Sequence, residues 1–435
     1  MAESPILESR PAGMMPAPKS RIVLLTGNSL CHNPRSMKEA TALARAGYEV
    51  RVLGGWLDSI SKANDLSLIK NAAFEFTPVV DRNLGSKRNE AAWFARRAGR
   101  KAAHIVYGLT GWQSPLQLGF GVKRLFREAL RLSADLYIAH SEAGLYAACG
   151  LARRGMRVGV DMEDWFSEDL LPEVRRHRPL RLLRALEREL LLRVAYASCP
   201  SRVMSTALAE VHGCTAPTVI YNAFAWSQRP ALDGSMSDRR TRDRPSIHWY
   251  STTLGPGRGL EDLLSAVPHL QHDVEIHLRG SPAPGFEQWL RTQVPDHWRH
   301  RMFFHSVVTN EQLLPRIAEH DIGFAGEMKY CRSRELTVTN KMLHYFLGGL
   351  AVVASDTAGQ REVAEQAPGA VLLYPSGNGR ALADALNSLL GAPERLALAK
   401  AAALDAAQKT FCWERQEGAL LGAVAHALAQ PAAVI

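Results

Sequence analysis

Short β-rich runs alternate with stretches of helical periodicity through both halves of this 435-residue chain. That alternation confines the fold more than any other feature, because it is the pattern of parallel strands covered by crossover helices. A chain of this length exceeds the usual size of one domain, so two domains of roughly 200 residues each are expected. In the first half the pattern predicts strands at 21–26, 49–53, 135–139, 157–160 and 218–221, and helices at 36–46, 145–154 and 202–212, with a mostly helical insertion at about 89–131. The second half predicts strands at 247–250, 274–278, 302–305, 322–325 and 351–354, alternating with helices at 260–267, 286–294, 311–319, 341–347 and 380–390. Residues 228–246, rich in Pro, Asp, Arg and Ser, read as a solvated linker. The expected plan is a loose tail at 1–20, one Rossmann-like domain at 21–227, a second at 247–410, and a closing helix at 411–435 that packs back toward the first.

The formal net charge of +9 is unevenly held: residues 1–230 carry 32 Lys/Arg against 21 Asp/Glu, whereas residues 231–435 carry 20 against 22. A basic half can attract nucleic acid, an anionic membrane surface or a phosphorylated substrate. The basic residues are not interleaved with aromatic stacking residues, which disfavours nucleic acid as a partner. Two basic stretches stand out, 87–101 and 175–193. In the second, Leu182, Leu183, Leu186 and Leu190 recur at helical spacing, as in a helix docked on its own core or lying on a membrane. No apolar run approaches the roughly 20 residues of a membrane span, and the opening residues lack a secretion signal's apolar centre. A cytoplasmic protein, peripheral on the membrane at most, is expected. The six scattered cysteines fit free thiols, and no metal-spaced cluster of His, Asp or Cys is present.

Three segments carry candidate chemistry. Residues 251–260, STTLGPGRGL, follow a strand and open a helix. Gly257 and Gly259 let backbone N–H groups approach an anion, and Arg258 can pair with phosphate oxygens, so this turn reads as a diphosphate cradle. Residues 335–360 place two polar loops at the carboxyl end of a buried strand, where ligands of open α/β sheets bind. There Lys341 can bind phosphate, and Asn340 and His344 hydroxyls, although Asn340 equally suits a helix cap. In the first half, Asn28, Asn33 and Arg35 occupy the first strand-to-helix loop, His140 follows a strand, and Asp161 and Glu163 lie in an acidic cluster at another strand end.

Together these segments resemble the GT-B glycosyltransferases of the group 1 or family 4 type, from about residue 21 to 427. GPGRGLEDLL is similar to the family's diphosphate turn, with Arg258 where Lys is commoner; NKMLHYFLGGLAVVASD (340–356) resembles its P-N-K-x-x-E-Y-x-x-x-G-x-P-V-V-A-S-D pattern. The segment around His140 resembles the D-x-x-H-x-H stretch whose last His lies in the sugar pocket, and Asp161-Met162-Glu163-Asp164 resembles the Asp-x-His-Glu loop with Glu163 replacing His. One departure matters most: His344 stands where the family has a carboxylate that grips the ribose. Glu327 and Glu335 show E-x7-E spacing, but out of register with that position.

The resemblance implies an α/β protein of two doubly wound domains facing each other across a cleft. It further implies a retaining, metal-independent hexosyltransferase without a cofactor, moving sugar from a nucleoside-diphosphate sugar to a glycan, lipid-linked or other hydroxyl acceptor in cell-surface polysaccharide or glycoconjugate synthesis. His140 and Glu327 are the expected catalytic residues. Gly257, Arg258, Gly259 and Lys341 are assigned to the donor diphosphate, and Glu335, Asn340 and His344 to the nucleoside or sugar. Asn28, Asn33, Arg35, Asp161 and Glu163 are assigned to the acceptor. The rival readings are a nucleotide-sugar-binding scaffold without activity, suggested by His344 and by Ser251-Thr252-Thr253 where many relatives have an Arg before the diphosphate turn, and a sugar-nucleotide epimerase of the same fold.

Overall fold

Two fully parallel sheets organise the chain. In a computed structural model, residues 20–430 are described except 84, 86, 233 and 240–242. The expected tail therefore lies outside the described residues apart from Ser20, as do the last five residues of the expected closing segment. The first sheet holds β1 (Arg21–Leu25), β2 (Glu49–Trp56), β3 (Glu75–Asp81), β4 (Leu136–Ala139), β5 (Val158–Asp161), β6 (Tyr196–Cys199) and β7 (Thr218–Val219), in the order β3-β2-β1-β4-β5-β6-β7. The second holds β8 (Ser246–Leu254), β9 (Glu275–Pro282), β10 (Met302–His305), β11 (Ile322–Ala325), β12 (Ala351–Ser355) and β13 (Val371–Tyr374), in the order β10-β9-β8-β11-β12-β13. β4, β5, β11 and β12 are buried along their whole length, because helices cover both faces of a parallel sheet, and so they read as apolar runs, with Asp161 and Ser355 the polar residues at the carboxyl ends of β5 and β12. The strand order reverses beside β1 in one sheet and beside β8 in the other, which opens a crevice at the carboxyl end of each.

The sequence pattern passed over β3, β6 and β13, and the helices Ser59–Ile69, Ala358–Gln366 and Pro393–Lys409. β3 carries Pro78, which speaks against a strand, and is tolerated because β3 is an edge strand. β6, YASC, has only four residues and little β-propensity; it is held between β5 and β7.

The linker differs from expectation. Residues Trp226–Ala231 form a 3-10 helix, and the backbone N–H groups of Ser237, Asp238 and Arg239 donate to Glu319 Oε2 at 3.0, 2.7 and 3.2 Å. Arg239 is only 3% exposed and reaches Asp321 Oδ2 at 3.0 Å, while Asp238 pairs with Arg279. Charges that read locally as solvated thus find opposite charges some 40 to 80 residues away.

The basic stretch 175–193 contains the helix Leu180–Leu191, whose Leu183, Leu186 and Leu190 are buried in the first domain's core. Its buried Glu187 accepts hydrogen bonds from Ser167 N and Oγ at 2.8 and 2.6 Å. The helix is therefore docked on its own domain. The helix Trp413–Ala429 buries Trp413, Leu420, Val424 and Ala427 against Ile22, Leu24 and Val50 of the first domain. All six cysteines are free. No helix among the described residues is long and apolar enough to cross a membrane.

Candidate functional site

A cleft of about 360 Å³ lies between the two domains, where the carboxyl ends of both sheets face each other. The first domain contributes Asn33, Arg35, Glu163 and Asp164; the second contributes Tyr250, Ser251, Glu327, Arg334, Asn340 and Lys341. Six of the sequence-assigned residues therefore meet there: Asn33, Arg35, Glu163, Glu327, Asn340 and Lys341.

On the second domain's wall, Lys341 Nζ lies 3.0 Å from Glu327 Oε1, which also accepts from Thr339 Oγ1 at 3.3 Å. Burial alone would raise the Glu327 pKa, but Lys341 and Arg334 outweigh it and hold the carboxyl below its ordinary range. The loop bearing Glu327 is locked because Ser355 Oγ accepts from Glu327 N at 2.7 Å and donates to its carbonyl at 2.8 Å. Asn340 is exposed at the cleft; Thr339, whose side chain accepts from Lys341 N, is the N-cap of the helix Asn340–Gly348. The structure thus corrects the reading of Asn340 as the cap.

Arg258 does not line the cleft directly. It is exposed, and its Nη1 donates to Ser251 Oγ, a cleft residue, at 3.1 Å. Gly257 N donates to Glu261 Oε1 at 2.8 Å. Gly259 has φ +79°, and a Cβ there would stand 2.4 Å from the Gly326 carbonyl oxygen, so only glycine lets the turn pass beneath the loop that carries Glu327.

His344 is 2% exposed, stacked on Phe224 with centroids 3.8 Å apart, and its Nδ1 lies 3.1 Å from the Tyr250 hydroxyl. Burial, with Lys38 nearby, pushes its pKa down to about 3, so it is a neutral ring within the interdomain packing and not a cleft group. Its neighbour Tyr250 is the one that faces the cleft. Glu335 accepts from Ala358 N at 3.2 Å and pairs with Lys329 at 3.4 Å, which turns it toward the start of the next helix.

On the first domain's side, Asn33 caps the helix Pro34–Arg45 and its Nδ2 donates to Glu163 Oε1 at 3.1 Å. Behind this surface lies a buried ionic cluster, which reaches the cleft wall through Arg35. Arg35 pairs with Asp161, lies 3.5 Å from Glu39 and donates to the Ile220 carbonyl at 2.6 Å. His140 is 0% exposed, with Nε2 3.3 Å from Glu39 and Nδ1 3.6 Å from Asp161. Burial opposes its charge, but Glu39 and Asp161 prevail and raise its pKa to about 9. Neither His140 nor Asp161 reaches the cleft surface, and Asn28 is exposed outside it, its carbonyl accepting from Gly55 N. Ser141, directly after His140, has φ +64° and donates its hydroxyl to the Thr26 carbonyl; this strained residue fixes where His140 points.

Glu163 and Asp164 are half-buried at the cleft edge. Burial raises each pKa to about 7, with His140 opposing the rise at Glu163 and Arg334 opposing it at Asp164. Sequence reading missed Arg334 and Tyr250, and noted Asp164 only as part of the acidic loop 161–164. Arg334 lies between the two glutamates of the E-x7-E spacing, but no motif marks it. Burial disfavours its charge, yet Asp164, Asp169 and Glu327 raise its pKa above the ordinary value, and it lies 3.4 Å from Asp169 of the first domain.

Among the described residues, two groups of donors from distant positions lie close enough to share a cation, Glu39/His140/Asp161 and Asp238/His248/His320. In each an arginine, Arg35 or Arg279, already pairs with the carboxylate, which leaves a poor fit for a metal ion.

Residues 245–392 match the family described as Glycosyl transferases group 1. No curated protein matches the chain by sequence. Among solved structures, HepE of Anabaena in complex with UDP and glucose is 16% identical with a TM-score of 0.67, over 93% of this chain and 99% of that one. Sucrose-phosphate synthase of Thermosynechococcus elongatus is 14% identical, TM-score 0.67, over 94% and 99%. A UDP-forming trehalose-phosphate synthase of Burkholderia xenovorans is 14% identical, TM-score 0.67, over 95% and 100%. At these identities the likeness is one of fold, and it extends over nearly the whole of each chain.

Proposed function

We propose that this chain, a GT-B-fold protein whose residues 245–392 form a glycosyl transferases group 1 domain, transfers a hexosyl group from a UDP-sugar to an acceptor hydroxyl. The observation that carries the reading is the interdomain cleft with Lys341 and Glu327 on one wall and Glu163 and Asp164 on the other. UDP as the donor's nucleotide is supported by the UDP and UDP-glucose complexes of HepE.

In this reading the bond between the anomeric carbon and the diphosphate oxygen breaks, and the electron pair leaves with the diphosphate. Arg258 and Lys341 neutralise the charge that develops there, more strongly in the transition state than in the ground state, in place of a bound metal. Lys341 exchanges its partner Glu327 for phosphate oxygens, which frees Glu327 for the sugar hydroxyls. Glu163, near neutral pH, accepts the hydrogen bond of the acceptor hydroxyl. His140 acts from beneath, by holding Asp161 and the charge balance under Glu163. Retention at the anomeric carbon and a glycan or lipid-linked acceptor in polysaccharide synthesis complete the reading. The cytoplasmic face of a membrane is the proposed setting: the helix Lys87–Thr110 is rich in Lys and Arg and exposes Phe94 and Leu109, with Trp112 just beyond.

Thermal unfolding against UDP, GDP, ADP, TDP and their sugars tests the donor site, because a ligand of the folded state alone stabilises it by about 2.7 kcal/mol at a hundred times its Kd. UDP and a UDP-sugar should shift the midpoint, and Arg258→Ala should weaken UDP far more than uridine. Equal losses for both, or no shift with any nucleotide, would overturn the assignment.

A further inference from the structure

A second cavity, of about 200 Å³, lies outside the cleft and is also built by both domains. The first domain supplies Trp165, Arg184, Arg188 and His212; the second supplies Arg332. Its one carboxylate, Glu168, is already neutralised by Arg175 at 2.6 Å and Arg184 at 2.8 Å. Arg188 and Arg332 have no carboxylate partner among the described residues; Arg332 only stacks over Trp165, 4.6 Å from the ring centroid. His212, 7% exposed, has an Nε2 with no hydrogen-bond partner. Burial, then Arg188 and Arg332, lowers its pKa, so the ring is neutral near pH 7 and can donate one N–H.

Two exposed guanidinium groups without a carboxylate partner and one buried imidazole whose Nε2 has no partner line a common cavity, and a tetrahedral oxyanion supplies several acceptor oxygens at once. We propose that this cavity is an oxyanion site, for a free phosphate ion or for the phosphoryl group of a larger ligand, held by Arg188, Arg332 and His212 across the domain boundary. The site is connected to the cleft through the backbone. Arg332, Ser333 and Arg334 are consecutive: Arg332 lines this cavity, Ser333 Oγ accepts from Trp165 N at 3.1 Å, and Arg334 lines the cleft. Asp164 in the cleft likewise precedes Trp165 in the cavity. An anion that draws Arg332 toward Arg188 fixes the segment that presents Arg334.

Thermal unfolding and calorimetric titration of the full chain with inorganic phosphate, at ionic strength held constant with chloride, test the site. Wild-type protein and Arg258→Ala, which alters the glycine turn beside the cleft and lies outside this cavity, should both gain stability and bind phosphate. Arg188→Gln with Arg332→Gln should lose at least about tenfold in affinity. Arg188→Gln alone touches no partner and so leaves folding intact; it and His212→Gln should each weaken phosphate. Hexyl phosphate binding at least as tightly as phosphate identifies a phosphoryl terminus as the occupant, and binding of phosphate alone identifies the free ion. The proposal is overturned if wild type binds neither, if chloride gives the same shift, if Arg258→Ala abolishes it, or if Arg188→Gln and His212→Gln bind as wild type does.

Discussion

Replacing Arg35 by methionine should cost the first domain about 3 kcal/mol near pH 7, within the range for removing one partner of a buried ion pair. The guanidinium is 1% exposed, pairs with Asp161, stands 3.5 Å from Glu39, and donates to the Ile220 carbonyl at 2.6 Å. Without it, Asp161 keeps only Ser198 Oγ at 3.0 Å and the His140 ring, which it shares with Glu39. Glu39 sets the pH dependence. Burial and then Asp161 raise its pKa to about 7, with His140 and Arg35 opposing, so losing Arg35 raises it further. A raised carboxyl pKa means that the folded state holds a proton the unfolded chain has released, so stability falls as pH rises toward the folded pKa. Above pH 7 wild-type Glu39 has released that proton and the variant has not. The gap between the two should widen by up to about 1.4 kcal/mol per pH unit. Urea unfolding at pH 6.0 and 8.5 measures it, and Arg35→Lys should recover little, because one ammonium cannot span Asp161 and the Ile220 carbonyl in the same geometry. A variant that loses less than about 1 kcal/mol yet abolishes turnover would refute this account and return Arg35 to direct contact with the acceptor.

Gly259→Ala should destabilise the second domain by at least about 2 kcal/mol and weaken UDP, because φ is +79° and the new Cβ would meet the Gly326 carbonyl oxygen at 2.4 Å; wild-type stability and UDP affinity would contradict the turn's role. Glu163, its pKa raised to about 7 chiefly by burial, should make the acceptor KM fall as pH rises through 7, while its contribution to protein stability falls earlier, as pH rises from about 4.5 to about 7. Glu163→Gln should flatten both profiles, and an unchanged KM profile would remove Glu163 from the acceptor site. Vesicle flotation should recover the protein with anionic but not neutral lipid, and Leu109→Asp with Trp112→Asp should reduce recovery; equal recovery from both lipids would sink the membrane setting.

The glycine turn after β8 was legible in the sequence because its backbone is set locally. GPGRGL sets its own backbone through two glycines at positive φ, and Arg258 closely follows the end of β8 at Leu254. The first domain was legible only as a set of loops. Asn33 and Glu163 do meet, yet Arg35, Asp161 and His140 form a buried cluster completed by Glu39, a residue with no sequence signal beyond helical spacing. Periodicity locates the face of a helix that is buried, but it does not say whether a charge on that face meets a partner. His344 shows the same limit: aligned with a ribose-gripping carboxylate, it stacks on Phe224, which lies in the crossover segment 120 positions earlier.

The alternation, the two parallel sheets and the placing of polar loops at strand ends follow from the order of the residues, because hydrophobic period and turn chemistry act within a few residues. Tertiary structure alone decided which of those loops share a cleft, which charges lie beneath its floor, and that Arg334 and Asp164 complete it. Those outcomes rest on Coulomb interactions and desolvation between residues more than a hundred positions apart, and such energies depend on burial and distance, which no local pattern encodes.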